Sequence, residues 1–198
     1  MSQISVDSVI PQSGTNITIG GSGDTVTLGS GASASGFGKV LQVVSTTKTD
    51  TFSASLGQAV PSGDVTGLTA TITPSSTSNK ILVTAHICGS NSSNAFLVWL
   101  YRDGSALSGA TGDSASNRSR TTTVSVAQPS SNGPASGALS SFNYFDSPAT
   151  TSSITYSIRV GHTIGGTDTV YVNRTDSDTD AVNSGRSIST ITLMEIAG

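Results

Sequence analysis

Apolar residues in this chain alternate with Ser and Thr in short runs, and nowhere do they recur at helical spacing over a useful length. Leu68-Thr69-Ala70-Thr71-Ile72 alternates and then stops at Pro74. Ile81, Val83, Ala85 and Ile87 fall on one face of another run, and Ile154, Tyr156, Ile158 and Val160 on one face of a third. A period of two is the signature of a strand with one face buried. The run from Ala95 to Tyr101 is apolar on both faces, Leu97, Trp99 and Tyr101 opposing Phe96, Val98 and Leu100, so it predicts a strand covered on both sides. Arg102-Asp103-Gly104-Ser105 then supplies turn chemistry. With further runs at 40–44, 120–128, 139–145, 169–173 and 187–196, the pattern predicts an all-β chain of eight or nine strands. That number suits a two-sheet β-sandwich of jelly-roll type. An immunoglobulin-like sandwich fits less well, because the Cys…Trp…Cys spacing is absent.

The first 35 residues are of another kind. Asn16-Ile17-Thr18-Ile19-Gly20 is echoed by Thr25-Val26-Thr27-Leu28-Gly29, each copy reading as a very short strand and a turn. Two such strands cannot shelter their own apolar side chains. Ile4, Val6, Val9, Ile17, Ile19, Val26 and Leu28 therefore need cover from outside the segment, which predicts a docking or trimer-forming element over 1–35. A Gly/Ser stretch at 30–38 reads as a linker, and the sandwich domain is expected over 36–198.

Composition narrows the function. Charged residues make up 11% of the chain, net charge is −3, and about a third of the residues are Ser or Thr. Nine Lys plus Arg argue against a nucleic-acid surface. No run of apolar residues is long enough to span a membrane, and no basic-then-apolar leader points to signal-peptide secretion. The single Cys88 rules out an internal disulfide framework and reads as a small buried residue. His86 and His162 read as structural: one lies mid-strand, the other in a Gly-His-Thr turn. Glu195 is the only glutamate and no nucleophile-elbow motif is present, so the chain is not read as an enzyme. Asp176, Asp178 and Asp180 alternate like the opening of a calcium loop and form a candidate Ca²⁺ site; Ala181 and Ser187 replace the glycine and glutamate of an EF-hand. A solvated acidic loop is the plainer reading.

The last run has two apolar faces, Ile191 and Leu193 against Ile188, Met194 and Ile196, with Glu195 its only charge. A free sheet edge is normally blunted by charge or proline. This strand is thus expected in the middle of its sheet, one face on the core and the other against a second layer, drawn from the same chain or from a neighbouring subunit.

The opening Met1-Ser2-Gln3-Ile4-Ser5-Val6-Asp7-Ser8-Val9, the Ile-Thr-Ile-Gly and Val-Thr-Leu-Gly units, the stretch from Leu68 to Val83 and the ending Ser189-Thr-Ile-Thr-Leu-Met-Glu-Ile196 resemble fibre-like virion proteins of tailed phages, of the marine and cyanobacterial kind. The resemblance implies a homotrimer with a jelly-roll knob similar to the C1q/tumour-necrosis-factor type. It implies a short or accessory fibre on the virion, partnered by capsid or tail proteins through its N-terminal segment, with an outward knob that contacts host-surface glycan or protein through loops at 104–119, 129–138 and 174–186. The alternative is a capsid decoration protein that clamps major capsid subunits. An enzyme acting on surface polysaccharide and a cellular lectin are the competing classes.

Overall fold

The computed structural model describes residues 9, 14, 19–27, 30, 39–92, 95–126 and 137–198. The chain divides into two compact units, Met1–Gly38 and Lys39–Gly198. In the first, the described stretch 19–27 contains a turn and no strand. Gly20 and Gly23 have φ of +82° and +91°, and the Asp24 carboxylate accepts the Gly21 N–H at 2.6 Å. The strand expected around Val26 is therefore not formed. Strand geometry is stable only where a neighbour takes its backbone bonds, and residues 24–27 pair with no described strand.

The second unit is an all-β sandwich of two antiparallel sheets. Its strands are β1 (Val40–Lys48), β2 (Phe52–Gly57), β3 (Thr69–Ile72), β4 (Lys80–Asn91), β5 (Ala95–Arg102), β6 (Ser105–Ala106), β7 (Thr123–Val126), β8 (Ala138–Asp146), β9 (Ile154–His162), β10 (Thr167–Val172) and β11 (Ser189–Ile196). The first sheet holds β1, β2, β4, β8, β10 and β11; the second holds β3, β5, β6, β7 and β9. Several strands lie end to end. β11 pairs with 80–86 of β4 and β10 with 89–91 on the same edge, while β1 and β2 flank β11 and β10 in turn. Counting these in-line strands together, the first ribbon of chain pairs with the last, the second with the seventh, the third with the sixth and the fourth with the fifth. That folded-ribbon winding is a jelly roll.

Alternation decides what is buried. Ile81, Val83, Ile87, Ile191 and Leu193 from one sheet meet Phe96, Val98, Leu100, Ile158 and Val160 from the other, all fully inside. Gly89 lets the sheets close: a Cβ there would lie 2.1 Å from the Phe96 ring. The β5–β6 hairpin turns on Asp103 and Gly104, whose φ of 48° and 77° are the left-handed pair such a turn requires. As expected, β11 lies inside its sheet, between β1 and β4.

Asn173 joins β10 to β11. Its φ is 62°, its side-chain amide donates to the carbonyls of Lys48 and Asp50 at 2.9 Å, and its Oδ1 accepts from Ser189 Oγ at 2.6 Å. Its backbone N–H reaches the Cys88 carbonyl at 2.8 Å, and Ser187 N–H reaches its own carbonyl at 3.2 Å. Residues 174–186 leave the sheet from this knot as an excursion closed by an Arg174–Arg186 bridge.

Candidate assembly surface

The two sheets differ in how their outer faces are covered. On the second sheet the chain covers itself over β5, while Val124 and Val126 on β7 stay 56% and 62% exposed. Trp99 is 6% exposed and donates its indole N–H to the Arg120 carbonyl at 2.7 Å. Arg159, held by Asp64 at 2.7 Å, stacks 3.9 Å above the Tyr101 ring. The expectation that the 95–101 strand is covered on both sides holds.

Among the described residues, nothing gives the outer face of the first sheet such cover along its middle. The register places Val43 opposite Met194, Met194 opposite Leu82, and Leu82 opposite Phe145. All four point outward, so one apolar row crosses β1, β11, β4 and β8. Val43 is 57% and Phe145 55% exposed. Leu41, beside the β1 bulge, and Val40, opposite Ile196, widen the row at one end. The next two rows are polar: Ser45, Thr192, Thr84 and Asn143, then Thr47, Thr190, His86 and Ser141. Ser45 and Thr192 share a hydrogen bond at 2.8 Å. Beyond them Cys88 and exposed Leu139 face out together, with exposed Ile188 near the end of β11. In the three rows from Val43 to Ser141 the only titratable side chain is His86. A flat face with apolar ends, hydroxyls between and almost no charge matches the depletion of charge at interface centres.

The remaining sequence-predicted residues fall as follows. Val9, Ile19 and Val26 are 64%, 69% and 61% exposed; Ile4, Val6, Ile17 and Leu28 lie outside the described residues. Asp176, Asp178 and Asp180 do not converge. Asp178 forms ion pairs with Arg174 at 3.4 Å and with Arg186, and Asp176 Oδ1 accepts the Ser177 N–H at 2.6 Å. The Arg186 hydrogen bond, aided by Arg174, holds the Asp178 carboxyl below the usual carboxylate range. Among the described residues no three His, Cys, Asp or Glu side chains are grouped to hold a metal ion. Cys88 is half-buried on the outer face and lines a cleft of about 220 Å³ with Arg174, Thr175 and Arg186, rather than packing in the core.

His162 lies within β9, not in a turn. It is fully buried, with Nε2 2.8 Å from the Leu56 carbonyl and Nδ1 without a partner. His86 sits on the outside of the other sheet, so the two histidines form no pair. Two buried carboxylates, absent from the sequence reading as structural centres, tie strands together. Asp146 Oδ2 accepts from Arg102 at 2.5 Å and from the Tyr156 hydroxyl at 2.6 Å. Burial, reinforced by the Asp146 carboxylate, pushes the Tyr156 phenol far above its ordinary range. Glu195 Oε1 accepts from the Ser75 N–H at 2.6 Å, the Ser75 hydroxyl at 2.7 Å and Asn79 Nδ2 at 2.6 Å. Burial raises the Glu195 carboxyl, and these hydrogen bonds overcome that and hold it below the usual range.

No protein-family model matches the sequence, and no curated protein matches it significantly. Among solved structures, one titled "Structure of infectious bursal disease virus Gx strain" aligns at 14% identity and a TM-score of 0.32, over 88% of this chain and 46% of the other. The chain thus spans about half the length of that neighbour. A likeness that faint bears on neither fold nor function; the fold rests on the strand pairing described above.

Proposed function

We propose that this protein is a structural component of a virion surface, a short or accessory fibre of a tailed phage that assembles as a homotrimer and has no catalytic role. The observation that carries the assembly half of this reading is the open outer face of the first sheet, with its cross-strand row Val43–Met194–Leu82–Phe145. The second sheet, by contrast, is covered by its own chain over Trp99 and Tyr101. A second copy is the occupant committed to here: a face with almost no charge sets up no like-charge repulsion between copies, and around a threefold axis each copy can press it against a different patch of its neighbour so that the ring closes. The virion half is supported by the phage-like phrases of the sequence and by the apolar residues of the first 35. In this reading that segment docks on the particle and the knob points outward.

Two measurements test the proposal. Sedimentation of the full chain should give three times the monomer mass at micromolar concentration; a stable monomer overturns the trimer. Cryo-EM of the particle should place the chain on its exterior, bound through the N-terminal segment. Density lying flat between major capsid subunits would instead favour the decoration role.

A further inference from the structure

The straps over the second sheet leave a gap near the start of β5, a cleft of about 560 Å³. Its floor is apolar: Leu97, opposite Val124 on β7 and Gly161 on β9, is 2% exposed, and Val124 is 56% exposed. Gly161 contributes no side chain to this row, and a Cβ there would meet the Trp99 ring at 2.8 Å. The walls are polar. The loop between β6 and β7 supplies Asn117, Arg118 and Thr121, and the facing wall supplies Gln58, whose amide is fixed by the Thr163 carbonyl at 2.8 Å.

Arg118 is the informative residue. Arg102, Arg159, Arg174 and Arg186 each pair with an aspartate. Arg118 has no carboxylate within 4.0 Å among the described residues; its guanidinium makes one long contact, 3.5 Å, to the Ala115 carbonyl. Arg120 also lacks an acidic partner, but its guanidinium is held by Gly112 O at 2.8 Å and lies outside the cleft lining. Arg118 therefore presents an uncompensated planar fork at the rim of a cleft whose floor is apolar and whose walls carry amides and hydroxyls. A guanidinium of this kind prefers a carboxylate, which it can grip with two parallel bonds. A sugar ring has an apolar C–H face and a rim of hydroxyls, matching the floor and the walls.

We propose that this cleft binds the carboxylated sugar of an acidic surface glycan, with Leu97 and Val124 under the ring and Arg118 on the carboxylate. This rests on the reading of an outward-facing knob, but its test uses purified protein, so failure here and failure of the virion reading show up separately. The full chain is titrated by calorimetry with an oligogalacturonate, a neutral oligogalactose and a sulfated oligosaccharide of the same length. The oligogalacturonate is expected to bind, with the neutral analogue weaker by about tenfold or more, the scale of one charge-assisted contact. Arg118→Ala should lose about the same factor and Arg118→Lys should recover part of it, while Lys80→Ala, on the other sheet, leaves affinity unchanged. Unchanged circular dichroism and melting temperature confirm that the variants are folded. Absence of oligogalacturonate binding, equal loss in Arg118→Ala and Lys80→Ala, or binding of the sulfated probe alone overturns the proposal.

Discussion

Replacing Phe145 by Asp tests the assembly face most directly. Phe145 ends the apolar row on β8 and is 55% exposed in the single subunit. Full burial of such a side chain is worth about 1.5–3 kcal/mol. Roughly half of that is already realised within the subunit, leaving about 1–1.5 kcal/mol per copy for the interface. Three copies in a trimer sum to about 3–4.5 kcal/mol, two to three powers of ten in the association constant. The aspartate adds the cost of desolvating a charge beside other apolar groups, so this figure is a lower bound. The subunit itself should keep its fold, because an exposed position tolerates a polar side chain. Sedimentation velocity over a broad dilution series should show the trimer dissociating at a concentration at least about tenfold higher, because the midpoint of a three-subunit equilibrium moves with the square root of its constant. Ile164→Asp, on an exposed apolar residue outside this face, should leave the profile unchanged. A Phe145→Asp protein that dissociates at the same concentration as the parent refutes the placement of the interface.

Other outcomes follow from the interior. Gly89→Ala should lower stability by about 1–3 kcal/mol or more, measured by chemical denaturation, because the new methyl must displace the Phe96 ring. Asn173→Asp removes the two donors that serve the Lys48 and Asp50 carbonyls, and a loss of about 2–6 kcal/mol is expected from leaving both unmet. Glu195 makes stability pH-dependent with a definite sign. Its folded pKa lies below its unfolded value, so its contribution is complete above the ordinary carboxylate range and drains away as pH falls through the depressed folded pKa. Glu195→Gln should be less stable near neutrality and flatter on that acid limb, read from melting temperatures across the pH series. Millimolar calcium should leave the melting temperature unchanged, since two guanidiniums already neutralise Asp178; a clear rise would restore the acidic loop as a cation site.

Period-two alternation made most of the fold legible. Strands β3, β4, β5, β9 and β11 stand where the apolar runs stand, because aliphatic or aromatic side chains fill most of the alternate inward positions; β8 stands there as well, although Ser140 and Asp146 join Phe142 and Tyr144 on its inner face. β2 was hidden: its inward side chains are Phe52, Ala54 and Leu56, interleaved with serines and only half-buried, so the stretch reads as polar. β6 is two residues long and exists because the Asp103–Gly104 turn brings it back onto β5. The alternation of the last strand announced a second apolar face. The row across four strands required the register, which no single run contains. The partners of the acidic loop were hidden for a similar reason. Arg174 and Arg186 flank it in the sequence, but only the bridge between them places both guanidiniums on Asp178. The cleft at Arg118 is walled in part by the 104–119 loop that the resemblance named as a contact surface; which arginines are left without an aspartate is fixed by the fold and not by their spacing.

The knot at Asn173 has a practical consequence. β10 enters it and β11 leaves it in line along one edge of β4, and the excursion between them is tied back to the sheet at its start, where the Arg174 carbonyl accepts from Ser90 Oγ at 2.8 Å. Its two ends are fastened to each other through Asn173 and Ser187. A peptide of foreign sequence and different length could be grafted between those fasteners with the sandwich left in place, making this loop a natural site for display or for evolutionary drift in whatever the molecule touches.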